Sequence, residues 1–122
     1  MMRRAQFDTI LLTLYCALIY WLSDQPSLPM PMLFPVQDKF HHFIAYALMG
    51  VLAWMALRHK LNGSRLWLAS ALFCSLYGVS DEFHQSFVPG RLAETGDWLA
   101  DTLGAMVVVS ALLFRESGNI RT

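Results

Sequence analysis

Charged side chains are scarce in this sequence: Lys and Arg supply 9 residues and Asp and Glu another 9 in a chain of 122. With 56% hydrophobic residues and a mean hydropathy of +0.42, the chain is too apolar for an ordinary soluble domain of this length. It has no long basic run, which excludes the electrostatic footprint of a nucleic-acid binder. Cysteine is limited to Cys16 and Cys74, each inside an apolar run, where a thiol reads as a small hydrophobe rather than half of a disulfide or metal pair. Internal repeats, low-complexity tracts and a recognisable nucleophile motif are all missing. So is a small-residue cleavage site: Arg3 and Arg4 precede an apolar run ending in Tyr20-Trp21-Leu22-Ser23-Asp24, so the first segment is expected to stay as an anchor.

What the sequence does have is four apolar runs, Phe7 to Leu22, Phe40 to Leu57, Leu66 to Val79 and Trp98 to Phe114. Each falls short of the roughly 20 residues that cross a bilayer, and the flanking turns bring each to spanning length. The expectation is an all-α integral membrane bundle, one domain over 1–122, with four transmembrane helices at about 5–23, 38–57, 65–85 and 97–115. Gln25-Pro26-Ser27-Leu28-Pro29-Met30-Pro31, Asn62-Gly63-Ser64 and Val88-Pro89-Gly90 supply the breaks. Trp21, Trp54, Trp67 and Trp98 lie near the ends of runs, as interfacial anchors do, and Gly104 and Ala105 suit close helix packing.

Charge placement predicts the topology, because basic residues are retained on the cytoplasmic side. Arg3, Arg4, Arg58, Lys60, Arg65, Arg115 and Arg121 share the side of the termini, against Lys39 and Arg91 on the other. Both termini are therefore expected to be cytoplasmic. Asp24, Asp38, Asp81, Glu82, Glu94, Asp97 and Asp101 fall on the outer side, against Asp8 and Glu116 inside. Acids contribute little to orientation, so this skew needs a second cause.

Helix spacing suggests one. Asp38, His42 and Tyr46 stand at i, i+4 and i+8 in the second helix, with Lys39 adjacent. Tyr77, Asp81 and Gln85 repeat that spacing in the third, beside Glu82 and His84, and Asp97 and Asp101 stand four apart in the fourth. Facing lipid, such groups would cost up to about 2.5–3.5 kcal/mol each, so they are expected to line a wet, outward-facing pocket. His42, oriented by Asp38, or His84 would be the acid–base group, with Asp81, Asp97 and Asp101 orienting it. Asp81, His84, Asp97 and Asp101 are the candidate ligands for a divalent metal, and oxygen-rich ligation would favour magnesium, calcium or manganese. Lys39 and Arg91 would clamp an anion, with Asp38, Tyr46, Glu82 and Gln85 completing the substrate wall. Against these readings stand plainer ones: a buried ion-pair network with Lys39 and Arg91, helix capping by Asp38 and Asp97, pairing of Arg91 with Glu94 or Asp97, and an interfacial His41.

The segments Asp38-Lys39-Phe40-His41-His42-Phe43-Ile44-Ala45-Tyr46, Tyr77-Gly78-Val79-Ser80-Asp81-Glu82-Phe83-His84-Gln85 with Val88-Pro89-Gly90-Arg91, and Asp97-Trp98-Leu99-Ala100-Asp101-Thr102-Leu103-Gly104 make the chain resemble the VanZ-like family. That resemblance implies a small multi-helix protein of the bacterial cell envelope, from a family named for a protein associated with resistance to the glycopeptide teicoplanin. It supplies no agreed reaction. The expected function is binding or processing of an envelope lipid or lipid-linked cell-wall intermediate from the cytoplasmic (inner) membrane, by hydrolysis or transfer at a phosphate or acyl group if catalytic. The alternative is a non-catalytic accessory protein, partnered by an envelope enzyme or a second copy of itself. An ion pathway is disfavoured, since the inner halves of helices two to four are apolar, and a soluble bundle is the structural alternative.

Overall fold

The computed structural model describes residues 2–25 and 33–121, with side chains as far as Gly118. Long apolar stretches free of internal proline form four helices: α1 (Arg4–Ser23), α2 (Gln37–Leu57), α3 (Gly63–Gln85) and α4 (Thr95–Arg121). These match the expected segments except that α4 continues well past Phe114. The expected break at Pro26 to Pro31 lies outside the described residues.

Among the described residues, Arg4–Ser23, Gln37–Leu57 and Thr95–Gly118 are long and apolar enough to cross a membrane, as multi-pass membrane proteins require. At 23 residues α3 has the length but not the composition, because Ser70, Ser75, Ser80 and the polar stretch from Asp81 to Gln85 dilute it.

Beside its apolar core, the bundle buries polar groups and exposes large apolar ones to a degree unlike a soluble domain. Asp8, Ser23, Gln37, Ser70, Asp81, Gln85, Asp97 and Asp101 are buried, whereas Phe7, Leu14, Leu48, Leu103 and Phe114 are exposed. On α3, Leu68, Leu72, Leu76, Val79 and Phe83 form an exposed apolar stripe at three- and four-residue spacing, 48–67% accessible. Desolvating carboxylates while wetting leucines is unfavourable in water; around a bundle in lipid the same arrangement is the stable one.

Helix α2 is the centre of the bundle, packing most extensively on α4 and also on α1 and α3. Helix α1 leans on α2 and is joined to α3 chiefly through side chains. The α2–α4 crossing is close because Gly104 lies directly on the Phe43 backbone carbonyl, leaving no room for a Cβ. Gly50 meets Ala105 and Val108 from the other helix. Around this crossing Tyr46, Met49, Ala53, Cys74 and Ala105 form the buried core.

Trp54 departs from the anchoring expectation. Trp54 is 2% exposed and donates its indole N–H to Glu116 at 3.2 Å. Trp67 donates to Ser110 Oγ at 2.9 Å and Trp98 to the Ser75 carbonyl at 3.1 Å, so these three indoles tie helix to helix. A buried N–H must find an acceptor, and in a narrow bundle the nearest lies on a neighbouring helix. Trp21 is exposed, as an anchor should be.

Candidate functional site

The polar stripes do converge, at the end of the bundle where α1 and α3 stop and α2 and α4 begin. Its centre is the contact between His42 on α2 and Asp101 on α4, with Nδ1 and Oδ1 2.7 Å apart. Asp101 is fully buried, and the other imidazole nitrogen lies 3.8 Å from Asp97 Oδ2. The carboxylate that orients His42 is thus Asp101 rather than Asp38. Spacing along α2 puts Asp38 near His42, but the tight crossing at Gly104 brings α4 closer, and Asp38 turns to Lys39 instead.

From α3, Asp81 accepts hydrogen bonds from Ser23 on α1 and, at 3.5 Å, from the Tyr46 hydroxyl on α2. Gln85, one turn along, donates to Ser23 Oγ at 3.3 Å. Glu82 Oε2 accepts the Glu94 backbone N–H at 3.0 Å, tying α3 to the segment before α4. Asp81, Gln85, Tyr46 and His42 therefore share one neighbourhood, as the helical spacing implied.

Lys39, expected as an anion clamp, has carboxylates of this chain around it. Its ammonium lies 2.7 Å from Glu94, 3.0 Å from Asp97 and 3.5 Å from Asp38, so its charge is already matched. Arg91 makes no ion pair with Glu94 or Asp97 among the described residues; it donates to the Gln25 carbonyl at 3.3 Å. A tight turn presents it, with Arg91 N bonded to the Val88 carbonyl at 3.2 Å and Gly90 at φ 86°, a backbone shape that suits glycine.

His84 stands apart from His42 and Asp101. Its Nε2 is 3.0 Å from Asp24 Oδ1 and its ring stacks on Tyr20, with centroids 4.3 Å apart, so it fastens α3 to α1. Two groups of ligand-type atoms result: His42, Asp81, Glu82 and Asp101, with one atom from each all within 4.8 Å of one another, and Asp38, Glu94 and Asp97. Neither includes His84, and Asp97 belongs to the second.

A cavity of about 340 Å³ opens beside the first group, lined by Ile19, Leu22, Ser23, His41, His42, Ala45, Tyr46, Asp81, Gln85 and Arg91. Its lining mixes aliphatic side chains with a guanidinium, two imidazoles, a carboxyl, a phenol, a hydroxyl and an amide. Ser23 and Asp24 had no place in the sequence-based site. Their signal was a polar pair ending an apolar run, which by itself reads as a helix terminus. At the opposite end, buried Asp8 takes His59 at 2.8 Å and Arg4 at 3.3 Å, a link between α1 and the segment after α2 that spacing did not suggest.

No curated protein and no solved structure matches the chain. A family model does, over residues 5–115, a span that takes in α2 and α3 whole, most of α1 and α4, and every residue lining the cavity. The chain belongs to the VanZ/LLP1 family.

Proposed function

We propose that this protein binds or processes an envelope lipid or lipid-linked cell-wall intermediate, taking the headgroup phosphate into the cavity between α1, α2 and α3. The observation that carries this reading is the mixed lining. Ile19, Leu22 and Ala45 supply aliphatic surface suited to an acyl or prenyl chain, and Arg91 has no carboxylate within ion-pair distance among the described residues. His42, held by Asp101, is the group placed to move a proton in hydrolysis or transfer at a phosphate or acyl group.

In the same reading all four helices span the cytoplasmic membrane and both termini are cytoplasmic, which turns the cavity to the outer face. The continuous apolar stripe on α3 from Leu68 to Phe83 supports its crossing despite the polar residues on its other face. A site of this kind, acting on a wall intermediate, would account for a link to glycopeptide resistance. The accessory reading has one observation in its favour: both Asp81 oxygens already accept hydrogen bonds, which suits a rigid binding wall as well as a reacting group.

Native mass spectrometry of the detergent-purified chain with a polyprenyl phosphate, a phospholipid and neutral diacylglycerol tests the proposal. Phosphate-bearing lipids should be retained and diacylglycerol lost, and Arg91→Gln should weaken retention by roughly tenfold or more, as loss of a charge-assisted hydrogen bond does. Equal retention of all three lipids, or an Arg91→Gln protein that binds as the unsubstituted chain does, overturns it.

A further inference from the structure

The two acidic groups at this end of the bundle differ in one decisive respect. Asp38, Glu94 and Asp97 surround the Lys39 ammonium, which supplies their cation. Asp81, Glu82 and Asp101 have the His42 imidazole among them, and no Lys or Arg lies within ion-pair distance of any of the three among the described residues. Moreover, Asp101 Oδ2 is buried with no hydrogen-bond partner among the described residues, and so is Glu82 Oε1.

The direction of the Asp101 oxygen is informative. A Cβ built on Gly78 would lie 3.1 Å from Oδ2, so this atom faces α3, one turn before Asp81 and Glu82. The missing side chain at Gly78 lets the carboxylate approach. A desolvated carboxylate oxygen without a donor is costly, and a cluster of them costs more. Ligands on one small hard cation lie at about 2.0–2.6 Å from it, hence within about 5 Å of each other. The four residues present atoms within 4.8 Å.

We propose that His42, Asp81, Glu82 and Asp101 form a binding site for a divalent cation of the manganese or magnesium type, at the junction of α2, α3 and α4. Three carboxylates select a hard ion, and the single imidazole is compatible with manganese. The site stands whether or not the neighbouring cavity holds a lipid. A bound ion would cross-link three helices and neutralise the carboxylates that Lys39 does not reach. It would also place positive charge beside the cavity wall, where Asp81 and His42 belong to both sites.

The test uses the full chain in detergent, stripped with chelator and titrated with Mn²⁺ alone while the electron paramagnetic resonance signal of free aqueous Mn²⁺ is followed. Saturable uptake is expected, with an imidazole nitrogen coupling in the pulsed spectrum. Glu82→Gln and Asp101→Asn should each weaken uptake by on the order of 10–100-fold or more, whereas Asp38→Asn should leave it unchanged. Glu82→Gln keeps an acceptor for the Glu94 N–H, so it preserves the fold and carries the test if Asp101→Asn fails to fold. Lack of saturable uptake, absence of nitrogen coupling, unaltered uptake by Glu82→Gln, or an equal loss in Asp38→Asn overturns the proposal.

Discussion

His42 on α2 and Asp101 on α4 meet at 2.7 Å, joining the two most extensively packed helices through a pair that is almost entirely withdrawn from solvent. Phe43, next to His42, lies against Gly104, three residues beyond Asp101, so the close crossing and the polar contact are parts of one arrangement. Removing either side chain therefore disturbs packing and leaves the other polar group stranded.

Asp101→Ala should destabilise the protein by about 1–3 kcal/mol, the cost of leaving a buried hydrogen-bonding partner unsatisfied. Asp38→Ala, at a carboxyl group 44% exposed, should stay within about 0.5 kcal/mol. Reversible unfolding in mixed micelles measures both. An Asp101→Ala protein as stable as the Asp38→Ala one would show that the pair contributes nothing to the fold.

Three glycine-to-alanine variants should fall in a fixed order of damage. At Gly104 the new methyl group meets the Phe43 backbone, which cannot step aside, so the helices must part, at an overpacking cost of about 1–3 kcal/mol. At Gly50 the nearest atom, 2.7 Å away, is Val108 Cγ1, the end of a side chain that can adjust, so the cost should be smaller. Gly118 has open space around it and should tolerate alanine. Thermal denaturation of the three proteins checks the order, and a Gly50→Ala loss exceeding that of Gly104→Ala would contradict it.

Asp81→Asn separates the catalytic from the accessory reading. Asparagine retains an acceptor for Ser23 or Tyr46 and nearly the same shape, so the lipid should still bind. If the carboxylate takes part in proton transfer, turnover should fall by roughly 10²–10⁴-fold while affinity is held. Parallel measurement of retained lipid and of product formed decides, and loss of affinity in step with loss of cellular function would point to a binding protein.

Reporter fusions bear on the topology. Both termini and the segment from Arg58 to Asn62 should be cytoplasmic, and Phe87 to Arg91 should be on the outer side. The α3 assignment is the part most exposed to this test. A reporter at the C terminus found opposite to one at the N terminus would mean that α3 does not cross.

The helices were legible in the sequence because each is long, contains an apolar run and is bounded by turn residues, and local patterning of this kind survives whatever packs against it. Their polar faces were legible for the same reason. Asp38, His42 and Tyr46, or Asp81 and Gln85, fall on one side of a helix by the 3.6-residue period alone. The family likewise follows from residue order. Expectations from spacing gave way where two helices compete for one group, as when Asp38 loses His42 to Asp101 and Lys39 takes the acids that Arg91 was expected to share.

The sequence by itself therefore determined an all-α chain with apolar helices and a set of ionisable residues gathered at one end. Tertiary structure decided which of those residues meet. It set the His42–Asp101 contact, put Ser23 of α1 on Asp81, sent His84 away to Asp24 and Tyr20, and left an oxygen of Asp101 without a donor among the described residues. The physical reason is that periodicity fixes angles about a single helix axis, whereas the rotation and height of one helix against the next depend on how closely they approach. Here that approach is set by Gly104 and Phe43, far apart in the chain and silent about each other in sequence.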